Sequence, residues 1–144
     1  MMRIFQGMDM VSVAGFEKVW ERHEGFAEDI FSPLERAHCM SRKNPAIHLA
    51  GRFAAKEAAI KALGLRAGAT GFLSGFGDIE IVGRRGGRPR LRFKGWAAQV
   101  AARRGIIQKT VSITHSGNYA AATVILVAQP AGLQERPAGA QQGG

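Results

Sequence analysis

The stretch Leu49 to Gly64, LAGRFAAKEAAIKALG, admits little except a helix. Strong helix formers fill its interior, Asn44 offers an N-cap, Pro45 fits the first turn and Gly64 can close the C-terminus, so the spacing predicts a helix from about Pro45 to Leu63. At about 100° per residue, Leu49, Phe53, Ile60 and Leu63 share one stripe, while Ala54, Ala55, Ala58 and Ala62 form a broad face of small side chains. A helix with two such faces has to pack on two sides. Its charged flanks carry Arg52 with Lys56, and Glu57 with Lys61. Glu57 ahead of Lys61 is the favourable order, whereas Arg52 and Lys56 repel unless an anion lies between them. The flank invites a phosphate; the plainer alternative is two solvated cations whose stems lie along apolar neighbours.

A chain of 144 residues makes one domain with a sizeable core, and its 46% hydrophobic and 22% charged residues are ordinary. The net charge of +9 and the pI near 10.8 are not, and they imply an acidic partner or a polyanionic ligand. Nucleic acid is the first candidate for such a balance. Yet only 8% of residues are aromatic, and no strand interleaves aromatic with basic side chains. The lone Cys39 excludes an internal disulfide and a multi-cysteine zinc site, and suggests a reducing cytosol. No apolar run approaches the ~20 residues of a membrane span, and the N-terminus lacks the layout of a signal peptide, so a soluble cytoplasmic protein is expected.

Ahead of the helix, Arg3 to Val13 reads as a strand interrupted near Gly7 and Asp9, with a surface turn at Gly7-Met8-Asp9 as the alternative to a strand that carries a functional acid. Phe16 to His23 is a short amphipathic helix that leaves Lys18 and Arg22 exposed. Ser32-Pro33-Leu34-Glu35 is a capping box with proline at the first position, and Ser41 to Asn44 is a basic loop holding Arg42 and Lys43. Beyond the helix, the glycine-rich segment 64–77 reads as a long loop that could close over a ligand or merely connect. Asp78 to Val82 and Pro89 to Phe93 form a hairpin with a basic outer face, Lys94 to Arg104 a helix, and Val111 to His115 with Tyr119 to Val127 a second hairpin. Tyr119 to Val127 is almost continuously apolar or small, and belongs in the middle of the sheet. The expected organisation is a domain over residues 1–128 and a disordered tail over 129–144.

GMDMV at Gly7 to Val11, AGRFAAKEAAIKALG at Ala50 to Gly64, DIEI at Asp78 to Ile81, GGRP at Gly86 to Pro89 and VSITHSGNYAAA at Val111 to Ala122 occur in one order. In that order the chain resembles the holo-acyl-carrier-protein synthases, small 4′-phosphopantetheinyl transferases. The resemblance runs from about Ile4 to Ala128 and implies an α+β fold, with a mostly antiparallel sheet packed against one long central helix and shorter helices. It implies transfer of 4′-phosphopantetheine from coenzyme A to a serine hydroxyl of an acyl carrier protein, with release of adenosine 3′,5′-bisphosphate. Asp9 and Glu57 match the magnesium ligands, a donor set that suits a cation keeping waters and substrate phosphates. Lys61 would contact the diphosphate or protonate the leaving group, and either Glu57 or a metal-bound water would take the serine proton.

By the same resemblance, His115 would lie near the coenzyme A phosphates. Arg52, with Arg42 or Lys43, would clamp the 3′-phosphate, Lys56 shares the Arg52 flank, and Gly87, Arg88 and Pro89 match the adenine-side loop. Many relatives carry an acid three positions after the aspartate and an arginine three beyond, where this chain has Ser12 and Gly15. Lys18 and Arg22 are therefore the nearest basic groups for docking an acidic carrier. The resemblance further implies a homotrimer with active sites between subunits. It leaves open whether the carrier serves fatty-acid, polyketide or another biosynthesis. Two other readings compete: a nucleic-acid-binding module using Arg84, Arg85, Arg88, Arg90 and Arg92, and a transferase-like domain that binds coenzyme A without catalysis. Two acids beside a basic surface disfavour the first. The intact Asp, Glu and Lys positions disfavour the second.

Overall fold

A computed structural model describes residues 1–66, 75–83 and 86–130; residues 67–74 within the glycine-rich loop, Arg84, Arg85 and the tail from residue 131 lie outside the described residues. Strand β1 (Arg3–Ser12) leads into helices α1 (Val13–Arg22), α2 (Phe26–Ile30), α3 (Pro33–Met40) and the long α4 (Pro45–Ala62). A 3-10 turn at Phe76–Asp78 precedes the hairpin of β2 (Ile79–Val82) and β3 (Arg90–Phe93), then α5 (Gly95–Arg103), β4 (Ile106–Ser116) and β5 (Tyr119–Ala128). Antiparallel β1, β5 and β4 form one sheet in that order, and β2 with β3 forms a second. The apolar strand β5 is central, as its composition predicts. The mixed α+β class and the antiparallel pairing also agree with the sequence.

Alternation decides which side of the main sheet is covered. Ala120, Ala122, Val124, Leu126 and Ala128 of β5 are buried beneath α4, and their register partners Phe5, Gly7, Asp9 and Val11 of β1 lie on that same face. So do Val111, Ile113 and His115 of β4. The small-residue face of α4 is what lets the helix lie down so closely. Ala54, Ala55 and Ala58 are fully buried there, and a Cβ placed on Gly7 would sit 1.9 Å from the Ala58 carbonyl oxygen. Gly7 is therefore no interruption: β1 runs unbroken through it, and the surface turn is excluded. Gly7→Ala should lower stability by about 1–3 kcal/mol or more, because backbone rather than a movable side chain blocks the new methyl; denaturant titration of the variant checks this.

The other core lies among α1, α2, α3 and the start of α4, where Phe16 meets Phe26 and Phe31 at ring distances of 5.8 and 6.2 Å. The entry to α3 follows its capping box: Glu35 N donates to Ser32 Oγ at 3.2 Å and Ser32 N to Glu35 Oε1 at 3.0 Å. Ser32→Ala should cost about 1 kcal/mol in thermal or denaturant unfolding. Three local expectations need correction. Helix α1 begins at Val13 because Ser12 caps it, accepting from Gly15 N at 3.1 Å. Helix α2 was not anticipated, being five residues long. Asn44 stands at the N-cap of α4 without a side-chain capping bond, and Pro45, which needs no donor partner, starts the helix instead. At the far end Gln129 N still bonds to Gly105 O at 2.9 Å.

Candidate active site

Helix α4 divides the covered sheet face into two sides with different chemistry. On the β1 side, Lys61 Nζ donates to Asp9 Oδ1 at 2.9 Å and to the Met8 carbonyl at 3.0 Å. Lys61 thus pairs with the strand acid rather than with Glu57 one turn back. Glu57 is half-buried, and burial pushes its carboxyl above the usual range; the Asp9 charge adds to this and Lys61 opposes it. Two carboxylates, one feeling the other's charge, share a single ammonium between strand and helix, so negative charge there exceeds its nearest cation. Among the described residues no group of three or more His, Cys, Asp or Glu could hold a metal. A cation here would have two protein carboxylates, and water or ligand oxygens for the rest, a donor set that fits magnesium.

On the β4 side lies a cavity of about 230 Å³ whose lining includes Arg42, Arg52, His38, His48 and His115. Gly51 brings α4 against this edge, its Cβ position 2.8 Å from Ile113 Cγ2. Arg52 is 7% exposed, its Nε has no hydrogen-bond partner, and neither Arg52 nor Arg42 has an acidic partner among the described residues. A buried guanidinium without an acid is costly, and an anion is the natural complement. Gly87 and Pro89 line the cavity from the β2–β3 connection, while Arg88 lies outside it beside Arg90. Of the two candidates from the basic loop, Arg42 lines the cavity, and Lys43 is exposed and does not.

Lys56 is not part of either side, which corrects its expected role beside Arg52. It is fully buried, with Nζ donating to Glu35 Oε1 at 2.8 Å and to the carbonyls of Phe76 at 3.0 Å and Ile79 at 2.5 Å. Spacing alone placed it on the Arg52 flank. The acid that claims it comes from α3, twenty-one residues away. Nor is the outer face of the β2–β3 hairpin a free basic strip, because Arg92 and Lys94 are both tied to the buried Glu80. Burial alone would raise the Glu80 carboxyl, but bonds from Ser32 and Arg92 and the Lys94 charge bring it below the usual range. Lys18 and Arg22 lie exposed on α1 as expected. His38 and His48 were missed in the sequence, although a signal existed: each stands four residues before a cavity arginine, Arg42 or Arg52.

An acid pair lies on one flank of a helix and, on the other, a cationic cavity without an acidic partner among the described residues, an arrangement in an α+β fold that suits a phosphorylated ligand. A model of the 4′-phosphopantetheinyl transferase superfamily matches residues 6–124. The holo-[acyl-carrier-protein] synthase of Moorella thermoacetica is 39% identical over 120 residues, which cover 83% of this chain and 91% of that protein. That of Halorhodospira halophila is 44% identical over 124 residues, covering 84% and 94%. The ACPS–CoA complex of Chronobacterium ammoniagenes superposes with a TM-score of 0.78 at 38% identity, over 89% of this chain and 99% of the other. The chain belongs to the 4′-phosphopantetheinyl transferase superfamily and stands among its holo-[acyl-carrier-protein] synthases.

Proposed function

We propose that this protein transfers 4′-phosphopantetheine from coenzyme A to a serine hydroxyl of an acyl carrier protein, with adenosine 3′,5′-bisphosphate as the other product. The observation that carries the reading is the pair of Asp9, bonded to Lys61, and Glu57 on one flank of α4, with Arg52, which has no acidic partner among the described residues, on the other. In the reaction, the serine oxygen attacks the phosphorus that carries the pantetheine arm, and the bond from that phosphorus to the bridging oxygen breaks. The serine proton passes to Glu57 or to a water that Glu57 orients, and the electron pair leaves with the nucleotide phosphate. A raised carboxyl suits Glu57 to hold a proton transiently. Lys61, exposed enough to release Asp9, offers its ammonium to the diphosphate or to the departing oxygen.

Asp9 and Glu57 would hold magnesium, which when bound offsets the charge that grows on the leaving phosphate. Arg52 and Arg42 would clamp the ribose 3′-phosphate with His115 beside them, and Gly87 and Pro89 would border the adenine, with Arg88 outside the cavity. Lys18 and Arg22 on α1 would meet acidic residues of the carrier. We assign the activity to residues 1–128.

The homotrimer belongs to this proposal too. Asp9 and His115 lie on the same sheet face with α4 between them, and neither Asp9, Glu57 nor Lys61 lines the cavity. The opposite face of the sheet carries Ile4, Met8 and Met10, exposed at 71%, 68% and 67%. A side that apolar supports burial against other copies, which would bring one chain's carboxylates to another chain's cavity. Among the described residues no helix is long and apolar enough to cross a membrane. The reading is tested by the mass of a purified apo-acyl carrier protein after incubation with this protein, coenzyme A and magnesium. One added phosphopantetheine is expected; an unchanged mass with several unrelated carriers would overturn the reading.

A further inference from the structure

The cationic cavity holds more titratable groups than clamping a phosphate requires. His38 and His48 face the same space as Arg42 and Arg52, with His115 entering from β4 at a ring distance of 6.4 Å from His48. Arg42 Nη2 lies 3.4 Å from His38 Nε2. A guanidinium can only donate, so Nε2 accepts and His38 is neutral while that contact stands. Burial also holds both His38 and His48 below the ordinary histidine range, and the Arg52 and Arg42 charges push the same way. The remaining ionisable neighbours do not offset this. The Cys39 thiol behind Arg52 is pushed up to about 11 and stays neutral, Arg88 lies outside the cavity, and Glu35 is committed to Lys56. In the ligand-free cavity the two arginine charges thus disfavour protonation of His38 and His48.

Resting on the coenzyme A reading above, we propose that His38 and His48 make this a proton-coupled phosphate site: a terminal phosphate dianion binds together with protons taken up by these two histidines. The geometry supplies the coupling. An anion seated between the arginines draws Arg42 away from His38 Nε2, which frees that nitrogen for a proton, and the dianion cancels the arginine field that keeps His48 neutral. The histidines therefore titrate low in the free protein and higher in the complex. Affinity for a phosphate monoester falls as pH rises through the bound-state pKa values, and a ligand with a ribose hydroxyl in place of the phosphate lacks this dependence. The cavity would so reject 3′-dephospho-coenzyme A most strongly at the acid end of the physiological range.

Calorimetric titration with coenzyme A and with 3′-dephospho-coenzyme A, from pH 7 to 8.5 in buffers of different ionisation heat, tests this. A phosphate monoester has its second pKa near 6, so above pH 7 the protons that the buffer gives up on binding are taken by protein groups rather than by the ligand. Coenzyme A is expected to bind with net uptake of about one proton, its Kd rising about tenfold per pH unit where that uptake is complete. 3′-Dephospho-coenzyme A is expected to show no uptake. The H38Q/H48Q double variant, which keeps His115, should bind coenzyme A with a much shallower pH dependence and a Kd near the weak alkaline value of the natural chain; H48Q alone should halve the uptake due to this pair. Equal proton counts for the two ligands, or an undiminished pH slope in the double variant that still folds, would overturn the inference while leaving the transferase reading intact. Failure of the natural chain to bind either ligand would overturn both.

Discussion

Glu57→Ala should reduce carrier modification by about a thousandfold or more, because the substitution removes both a proposed metal ligand and the group nearest to the serine proton. Glu57→Gln, which keeps the shape but cannot take a proton, should fall nearly as far, and Asp9→Asn should do the same through the metal alone. The cause is separable from folding. Glu57 is half-buried and has no bonded partner among the described residues that its loss would orphan, and its raised carboxyl marks a native state that already resists its charge. The alanine variant should therefore unfold no earlier than the natural chain. Coenzyme A should still enter the cavity on the other flank of α4, with magnesium raising its affinity less than before. Single-turnover measurement of carrier mass, together with calorimetric binding, checks both parts. Retained turnover in Glu57→Ala would remove the carboxylate from the mechanism.

Lys56→Met should behave in the opposite way, with a large loss of stability and little loss of ligand affinity. All three ammonium hydrogens of Lys56 are engaged, one by Glu35 and two by the carbonyls of Phe76 and Ile79. Burial draws the lysine below its ordinary range, and Glu35 is what opposes that loss of charge. Removing the lysine leaves the 1%-exposed Glu35 carboxylate without its cation, a change that costs about 3–5 kcal/mol. The double variant Lys56→Met, Glu35→Leu should recover much of this, short of the part due to the lost capping box at Ser32. Denaturant midpoints of the single and double variants check the cycle. A Lys56→Met protein that is as stable as the natural chain but binds coenzyme A poorly would restore Lys56 to the ligand.

These two neighbours on one helix show what a sequence can and cannot disclose. Periodicity located α4, its small-residue face and the order of its charges, since these are local properties of 3.6 residues per turn. It placed β5 at the sheet centre for the same kind of reason. The partners of those charges are set by chain segments far away in sequence, and nothing local names them. Lys56 and Glu57 are adjacent, yet α3 claims the first for the core while β1 leaves the second beside Asp9. Gly7 read as a flaw in a strand because its requirement, contact with the Ala58 carbonyl, is tertiary. The acids themselves were legible through a motif; the division of the site by α4 was not, because it depends on which side of the helix each strand lies.

That division is the centre of the proposed account, in which one coenzyme A would be worked on by groups that a single chain keeps on opposite flanks of α4. It is tested by mixing two inactive variants, Glu57→Ala and Arg52→Ala, each purified alone and then unfolded and refolded together. Shared sites between subunits predict that the mixture regains carrier modification, since some interfaces then combine an intact carboxylate pair with an intact cavity. A mixture that forms mixed assemblies and stays as inactive as its components would contradict the account, because each chain would then be completing its site alone.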